Sequence, residues 1–253
     1  MPTPEPGGAV PPIGALFTET IDDLSKNFGG YALATLGFLA VAVPVTMFLV
    51  FGGIIAVNIL VAIGIAGSAA AADASGWDAG GLVALGGTFG TIGLAVLGFF
   101  GIILLAVTVA SPFSASLQRA VAAHQRGEEP LSFNAAFRTW NQNVVAYAMV
   151  LLFVTGASFV GVMFCYVGAL VPAVLFGFAP FMVALHGAGA GAALGATSRH
   201  ARANLKDHLV YAGLVFVVNV VASQIPVLGQ AFVTALTVRG YRKVFGDGAA
   251  PAV

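Results

Sequence analysis

The side chains best suited to chemistry are few in this chain, and they are dispersed. Histidine occurs at 124, 186, 200 and 208, and the single cysteine is Cys165. A helical metal site needs ligands one turn apart, as in HExxH. No two of these histidines have that spacing, and His200 and His208 are expected to lie too far apart for adjacent helical turns. A hydrolase needs a nucleophile beside a base. Ser111, Ser223 and His186 are candidates only by default, because there is no GxSxG, Walker loop or cysteine pair. Cys165 sits in an apolar run, where it reads as a small buried hydrophobe, and alone it forms no internal disulfide. No residue is therefore assigned a catalytic, cofactor-binding or metal-binding role, and the chain is expected not to be an enzyme. What remains is electrostatic. Arg138, Arg199, Arg202 and Lys206 flank apolar stretches, where cations can hold lipid phosphates or fix topology.

The elements that position these cations follow from composition. The chain has 253 residues, 59% hydrophobic and 8% charged, with a mean hydropathy of +0.98. A soluble domain carries about 25% charged residues, so this chain is expected to reside in a membrane. Its net charge of zero gives no reason to expect nucleic-acid binding. Residues 1–13 are rich in Pro and Gly and read as a flexible tail, as do 247–253. They enclose a single transmembrane domain over 14–246. The N-terminus has no basic, apolar signal-peptide pattern.

Stretches 27–72, 79–118, 139–198 and 208–238 lack Asp, Glu, Lys and Arg altogether. A crossing takes about 20 apolar residues. Every Lys and Arg lies outside the link between the first two stretches, which holds Asp73, Trp77 and Asp78. The positive-inside rule then puts that link outside and both termini in the cytoplasm. The parity allows one, one, two and two crossings. The expected fold is an all-α polytopic membrane protein of about six transmembrane helices in three hairpins, with cytoplasmic interfacial helices. The first stretch would reach about 70 Å as one helix, so a kink is expected near Pro44 or Gly52-Gly53. For 208–238 a full double crossing is preferred to a re-entrant hairpin, and both leave the ends inside.

Three joins share a pattern. A basic collar leads to a Tyr-Ala pair at Tyr31, Tyr147 and Tyr211, and four residues earlier stand Asn27, Asn143 and Asp207. Tyr favours the membrane interface, its hydroxyl in water. Leu131, Phe133, Phe137 and Trp140 recur at helical spacing, which predicts an amphipathic helix on the membrane surface. Three such units are expected over 16–111, 130–185 and 193–245. Gly187, Gly191 and Gly195 recur every fourth residue, a pattern that allows close helix packing. Pro172 and Pro180 are expected to mark a turn and a kink. Asn58, Thr155, Asn219 and Gln230 fall at depth, where amides and hydroxyls can bridge helices.

RGEEPLSFNAAF (126–137), ATSRHARANLKDHL (196–209) and PVLGQAFVTALTVRGYRKVFG (226–246) together resemble a poorly characterised group of prokaryotic six-span membrane proteins. The group includes the membrane domain attached to some glycerophosphodiester phosphodiesterases. The resemblance covers a little over half of the chain. It implies the six-span fold and no phosphodiesterase activity, since no such domain is present. The expected role is a non-enzymatic membrane scaffold or accessory subunit, and the alternative is a transporter or binder of lipid or another small apolar molecule. Membrane lipids, a membrane-protein partner or a second copy are the expected partners, in a bacterial plasma membrane.

Overall fold

The computed structural model describes residues 12–75, 77–164, 168, 170–222 and 224–246. Residues 1–11 and 247–253, Cys165, Ser223 and the side chains of Asp73, Trp77 and Asp78 lie outside what is described, and Ile13, read as the end of the N-terminal tail, opens α1. The described chain is all-α: α1 (Ile13–Lys26), α2 (Phe28–Ser75), α3 (Trp77–Gln125), a 3-10 turn at Phe133–Ala136, α4 (Val144–Phe164), α5 (Leu170–Phe176), α6 (Ala179–His186), α7 (Ala190–Ala203), α8 (Leu205–Ala222) and α9 (Pro226–Phe245). No strand occurs among the described residues.

Four segments are long and apolar enough to cross a membrane: Phe28–Gly67, Phe89–Gln125, Val144–Val162 and Leu205–Ala222. This makes the chain a multi-pass membrane protein. Leu170–His186 is apolar but shorter, because Gly177-Phe178 separates α5 from α6. Pro180 stands in the first turn of α6, where its missing N–H would have no partner anyway. Pro44 stays inside α2, and Gly52-Gly53 also lies within that helix, so the expected kink produces no break there.

The chain divides into two compact units, 43–109 and a second made of 1–42 with 110–253. In the first, the later part of α2 pairs antiparallel with the early part of α3: Gly53 faces Ile102, Val57 faces Gly98 and Gly64 faces Thr91. Apolar side chains cover its outside, and Phe48 is 79% exposed. A helix apolar on every face calls for an apolar solvent. Asn58, expected to bridge helices, instead donates to the Ile54 carbonyl of its own helix at 2.7 Å.

The second unit holds the core. Here α8 and α9 run antiparallel, with Tyr211 against Gly240 and Ala222 against Gly229. Their turn closes with Gln224 and Ile225 amides donating to Val221 and Ala222 carbonyls (3.1 and 3.0 Å). α4 meets the α5 segment through Phe153 and Phe176, ring centres 5.3 Å apart. α1 packs on α9 through Leu16, Thr20 and Asp23, one helical stripe: Leu16 and Thr20 are buried, and Arg239 donates to Asp23 at 2.6 Å.

The first and third collars form helices, α1 and α7. The second does not. Arg119 donates to the Thr139 and Gln142 carbonyls (2.7 and 2.9 Å) and to the Ala184 carbonyl (2.7 Å). The Thr139 and Gln142 carbonyls thus serve the Arg119 side chain, Thr139 also accepting the Gln142 amide at 3.1 Å, and the segment forms the 3-10 turn Phe133–Ala136 and further turns over 137–143 in place of a surface helix. Gly37 admits this segment, since a Cβ there would stand 2.0 Å from the Phe133 carbonyl oxygen. At Asn143, φ is +54°, and its carbonyl accepts the Tyr147 amide at 3.0 Å to start α4.

Two further expectations are corrected. Gly187 is the left-handed cap of α6, with φ +67°, and a Cβ at Gly191 would meet nothing within 4 Å. At Gly195 it would meet only Arg199 of the same helix. Close packing falls instead on the Ala193, Ala196, Thr197 and His200 face, all buried. Tyr31, Tyr147 and Tyr211 are buried in the protein, so their hydroxyls do not reach interfacial water.

Candidate functional site

Two cavities open in the second unit, and they differ in chemistry. The polar one, about 450 Å³, is lined by Arg119, Arg126, Arg138, Glu128, Glu129 and Thr139, among others. Its charges already have partners. Arg126 pairs with Glu128 at 2.5 Å, Arg138 pairs with Glu129, and Arg119 is held by three backbone carbonyls. Ser116 donates to the Ala135 carbonyl (2.8 Å) and accepts from the Thr139 amide (3.2 Å). This constellation shapes the 131–143 segment.

The apolar cavity has a volume of about 540 Å³. Its walls come from α4 (Val162), α5 (Leu170, Ala173), the α5–α6 break (Gly177, Phe178), α6 (Phe181), α8 and Thr237 of α9. The break in α5–α6 shortens the wall opposite α8. On α8 the lining positions are 208, 211, 212, 215, 216 and 219, one face of a helix by their spacing. Ligand cavities are commonly of this kind: several hundred Å³, mostly apolar, with a few polar groups.

Those polar groups are His208, Tyr211, Asn219 and Thr237. Thr237 donates to the Val233 carbonyl (2.7 Å) and Asn219 to the Val215 carbonyl (3.0 Å), each within its own helix. Asn219 thus does not bridge helices through its amide. His208 Nε2 and the Tyr211 hydroxyl are buried without a hydrogen-bond partner. Both lie among aromatic rings, with Phe178 centred 5.4 Å from His208 and 4.9 Å from Tyr211. The Tyr211 hydroxyl faces α9 at Gly240, where an added Cβ would stand 2.7 Å from it. Groups left so in an apolar interior cost stability of the order of 1–3 kcal/mol each.

His200 and His208 also meet, their ring centres 5.1 Å apart. They are not on adjacent turns, as expected from their spacing, yet the fold brings the rings into contact. The chain passes a helix junction at Asn204, and the two rings meet edge to face, 72° between their planes, two steps of four residues apart. Burial lowers the His200 pKa from its ordinary value, which favours the neutral ring. No group of three or more metal-ligating side chains occurs among the described residues.

The other candidate residues fall elsewhere. Arg138 lines the polar cavity, and Arg199, Arg202 and Lys206 are exposed on α7 and the start of α8. None of the four lines the apolar cavity. Tyr31 donates to Asp23 at 2.8 Å, and Tyr147 shares a hydrogen bond with Ser114 at 3.2 Å. Tyr211 alone of the three lines the apolar cavity. Ser111 is buried, and His186 Nδ1 is 2.6 Å from the Tyr241 hydroxyl. The geometry brings no serine and histidine of this set together as nucleophile and base among the described contacts.

No family model matches the chain, and neither a curated protein nor a solved structure matches it.

Sequence reasoning missed a hub of polar contacts, Asp23. It accepts from Arg239 (2.6 Å), Tyr31 (2.8 Å) and Asn27 (3.1 Å), and His124 Nε2 stands 3.8 Å away. Its partners come from α2, α3, α9 and the α1–α2 junction, so no local motif announces it. The one available signal was the spacing Asp23–Asn27–Tyr31, which recurs as His200–Asn204–His208.

Proposed function

We propose that this chain is a membrane protein that binds a lipid or another small apolar molecule in the cavity between α4, α5, α6, α8 and α9. The observation that carries the reading is the apolar cavity of about 540 Å³ with no charged side chain among its lining residues. An ionic substrate would lose its hydration there without a counter-charge, whereas an acyl chain or a ring system would not. The same walls contain no nucleophile–base pair, which favours binding over catalysis. In this reading α2, α3, α4, α5–α6, α8 and α9 make six passages through a bacterial plasma membrane, with both termini cytoplasmic. α8 and α9 span about 27 and 30 Å by helical rise, which supports full crossing for that pair.

The test is native mass spectrometry of the protein extracted gently from its own membrane. A discrete small apolar mass should accompany the wild type and be lost from Ala173→Phe, which fills the cavity. Extraction without any such mass, or its survival in the variant, would refute the assignment. The role as a scaffold or accessory subunit is the second reading. The largely apolar outer faces of the 43–109 pair favour it, since a partner helix could cover them. A stoichiometric polypeptide in the same spectrum would raise it above the first.

A further inference from the structure

Seven of the ten Lys and Arg residues are bound inside this protein. Lys26 pairs with Asp22, Arg126 with Glu128, Arg138 with Glu129, Arg239 with Asp23 and Lys243 with Glu19. Arg119 donates to backbone carbonyls, and Arg242 donates to Gln125 at 3.3 Å. The other three are Arg199, Arg202 and Lys206. They have no hydrogen-bond or ion-pair partner among the described residues. All three are exposed, and all three lie on one continuous segment, the last turns of α7 and the first turn of α8.

Within 199–208, His200, Ala201 and His208 are the buried residues, and the three cations are exposed on either side of the junction at Asn204. The single acid nearby in sequence is Asp207, so the segment keeps an excess of positive charge. It also carries exposed apolar side chains: Leu205, Leu209 and Val210 are each more than half exposed. They open α8, one of the four segments long and apolar enough to cross a membrane. Long cationic side chains at the end of such a helix reach to the headgroup layer while their stems lie on hydrocarbon. A free phosphate ion would have no use for the leucines. A lipid phosphate with acyl chains attached uses both.

We propose that the α7–α8 junction is a docking surface for anionic phospholipid, with Arg199, Arg202 and Lys206 holding the headgroup phosphate and Leu205, Leu209 and Val210 lying along its chains. This site is separate from the apolar cavity, whose lining includes none of these six residues.

The experiment uses the full chain in detergent, with phosphatidylglycerol or phosphatidylcholine of the same acyl composition added at equal amounts. Bound lipid is counted by native mass spectrometry. Wild type should retain phosphatidylglycerol in preference to phosphatidylcholine. R199Q/R202Q/K206Q should lose that preference, by about a hundredfold at about fivefold for each of the three cations. K26Q, which removes an exposed but paired cation, should change it less than about twofold. Inorganic phosphate at millimolar concentration should leave the bound lipid in place. Equal retention of the two lipids by wild type would overturn the proposal. So would unchanged preference in the triple variant, or displacement by inorganic phosphate. If the triple variant does not fold, K206Q alone carries the test, with an expected loss of about two- to fivefold and no loss overturning the assignment. Ala173→Phe should leave the lipid preference intact, so failure of the cavity reading and failure of this one are told apart.

Discussion

At Asn27 and at Asn204 an amphipathic helix stops, and a second helix begins on the asparagine's own carbonyl. The backbone angles nearly coincide: φ −119° and ψ 26° at Asn27, φ −126° and ψ 43° at Asn204. In each case the asparagine amide N–H donates to the carbonyl four residues earlier at 3.0 Å, and Nδ2 does so at 3.3 and 3.2 Å. The next helix opens with the amides of Tyr31 and His208 donating to the two asparagine carbonyls. What differs is the filling. Around Asn27, Asp23 and Tyr31 are joined with Arg239 into one hydrogen-bonded cluster. Around Asn204, the same positions hold His200 and His208, whose Nε2 atoms are buried without partners. One backbone device thus serves two ends. The first junction ties α1 to α9 by charge. The second puts unsatisfied imidazoles beside an apolar cavity, and stability is given up there.

This contrast can be broken most severely at Asp23. Asp23→Ala strands the Arg239 guanidinium, whose side chain is only 14% exposed. The expected loss is about 3 kcal/mol, read as a lower midpoint of thermal unfolding in detergent. A loss near zero would mean that water already screens the pair. Tyr31→Phe removes one charge-assisted hydrogen bond and should cost about 1.5–3 kcal/mol. Its counterpart, His208→Phe, removes the unpartnered Nε2 together with a hydrogen bond to the Val174 backbone, and should cost less than Tyr31→Phe, about 1 kcal/mol or below. Equal losses in the two would erase the distinction drawn between the junctions.

Asn27→Ala and Asn204→Ala should behave alike, each losing about 1 kcal/mol with its side-chain cap. A large difference between them would show that the shared angles conceal different devices. The smallest effect is the pH response of His200. Its folded pKa is lowered by burial, so the unfolded chain, with a histidine near 6.5, binds more protons in mild acid. Stability should therefore fall as pH drops below about 6.5 and level off once below the folded value. His200→Phe should flatten that part of the profile, seen as a smaller shift of the unfolding midpoint between neutral and mildly acidic buffer.

Much of the architecture was readable before any coordinates. Apolar stretches without a single charge require helices in a membrane, since every backbone group must bond within its own segment there. The basic collars and a small polar residue four before each tyrosine were also visible, because they are local in sequence. The register between the junctions was not. Aligning on Tyr-Ala matched Asn27 with Asp207, whereas the matching cap is Asn204, three residues earlier. Side-chain partners at a distance had no local signature: Arg239 reaches Asp23 from 216 residues away. The burial of three tyrosines was hidden for the same reason, because an aromatic at the end of an apolar run suits an interface and a core equally.

The sequence by itself determined that this chain is helical, that it lives in a membrane, and where its charges must stop. Those follow from the transfer cost of charge and unpaired backbone, which each segment meets alone. Only the tertiary structure decided that seven cations have a partner in the chain while three have none among the described residues, that two distant histidines touch, and that α5–α6 breaks beside α8 to leave an apolar cavity. These depend on which helices meet, and packing between helices is set by shape over the whole fold.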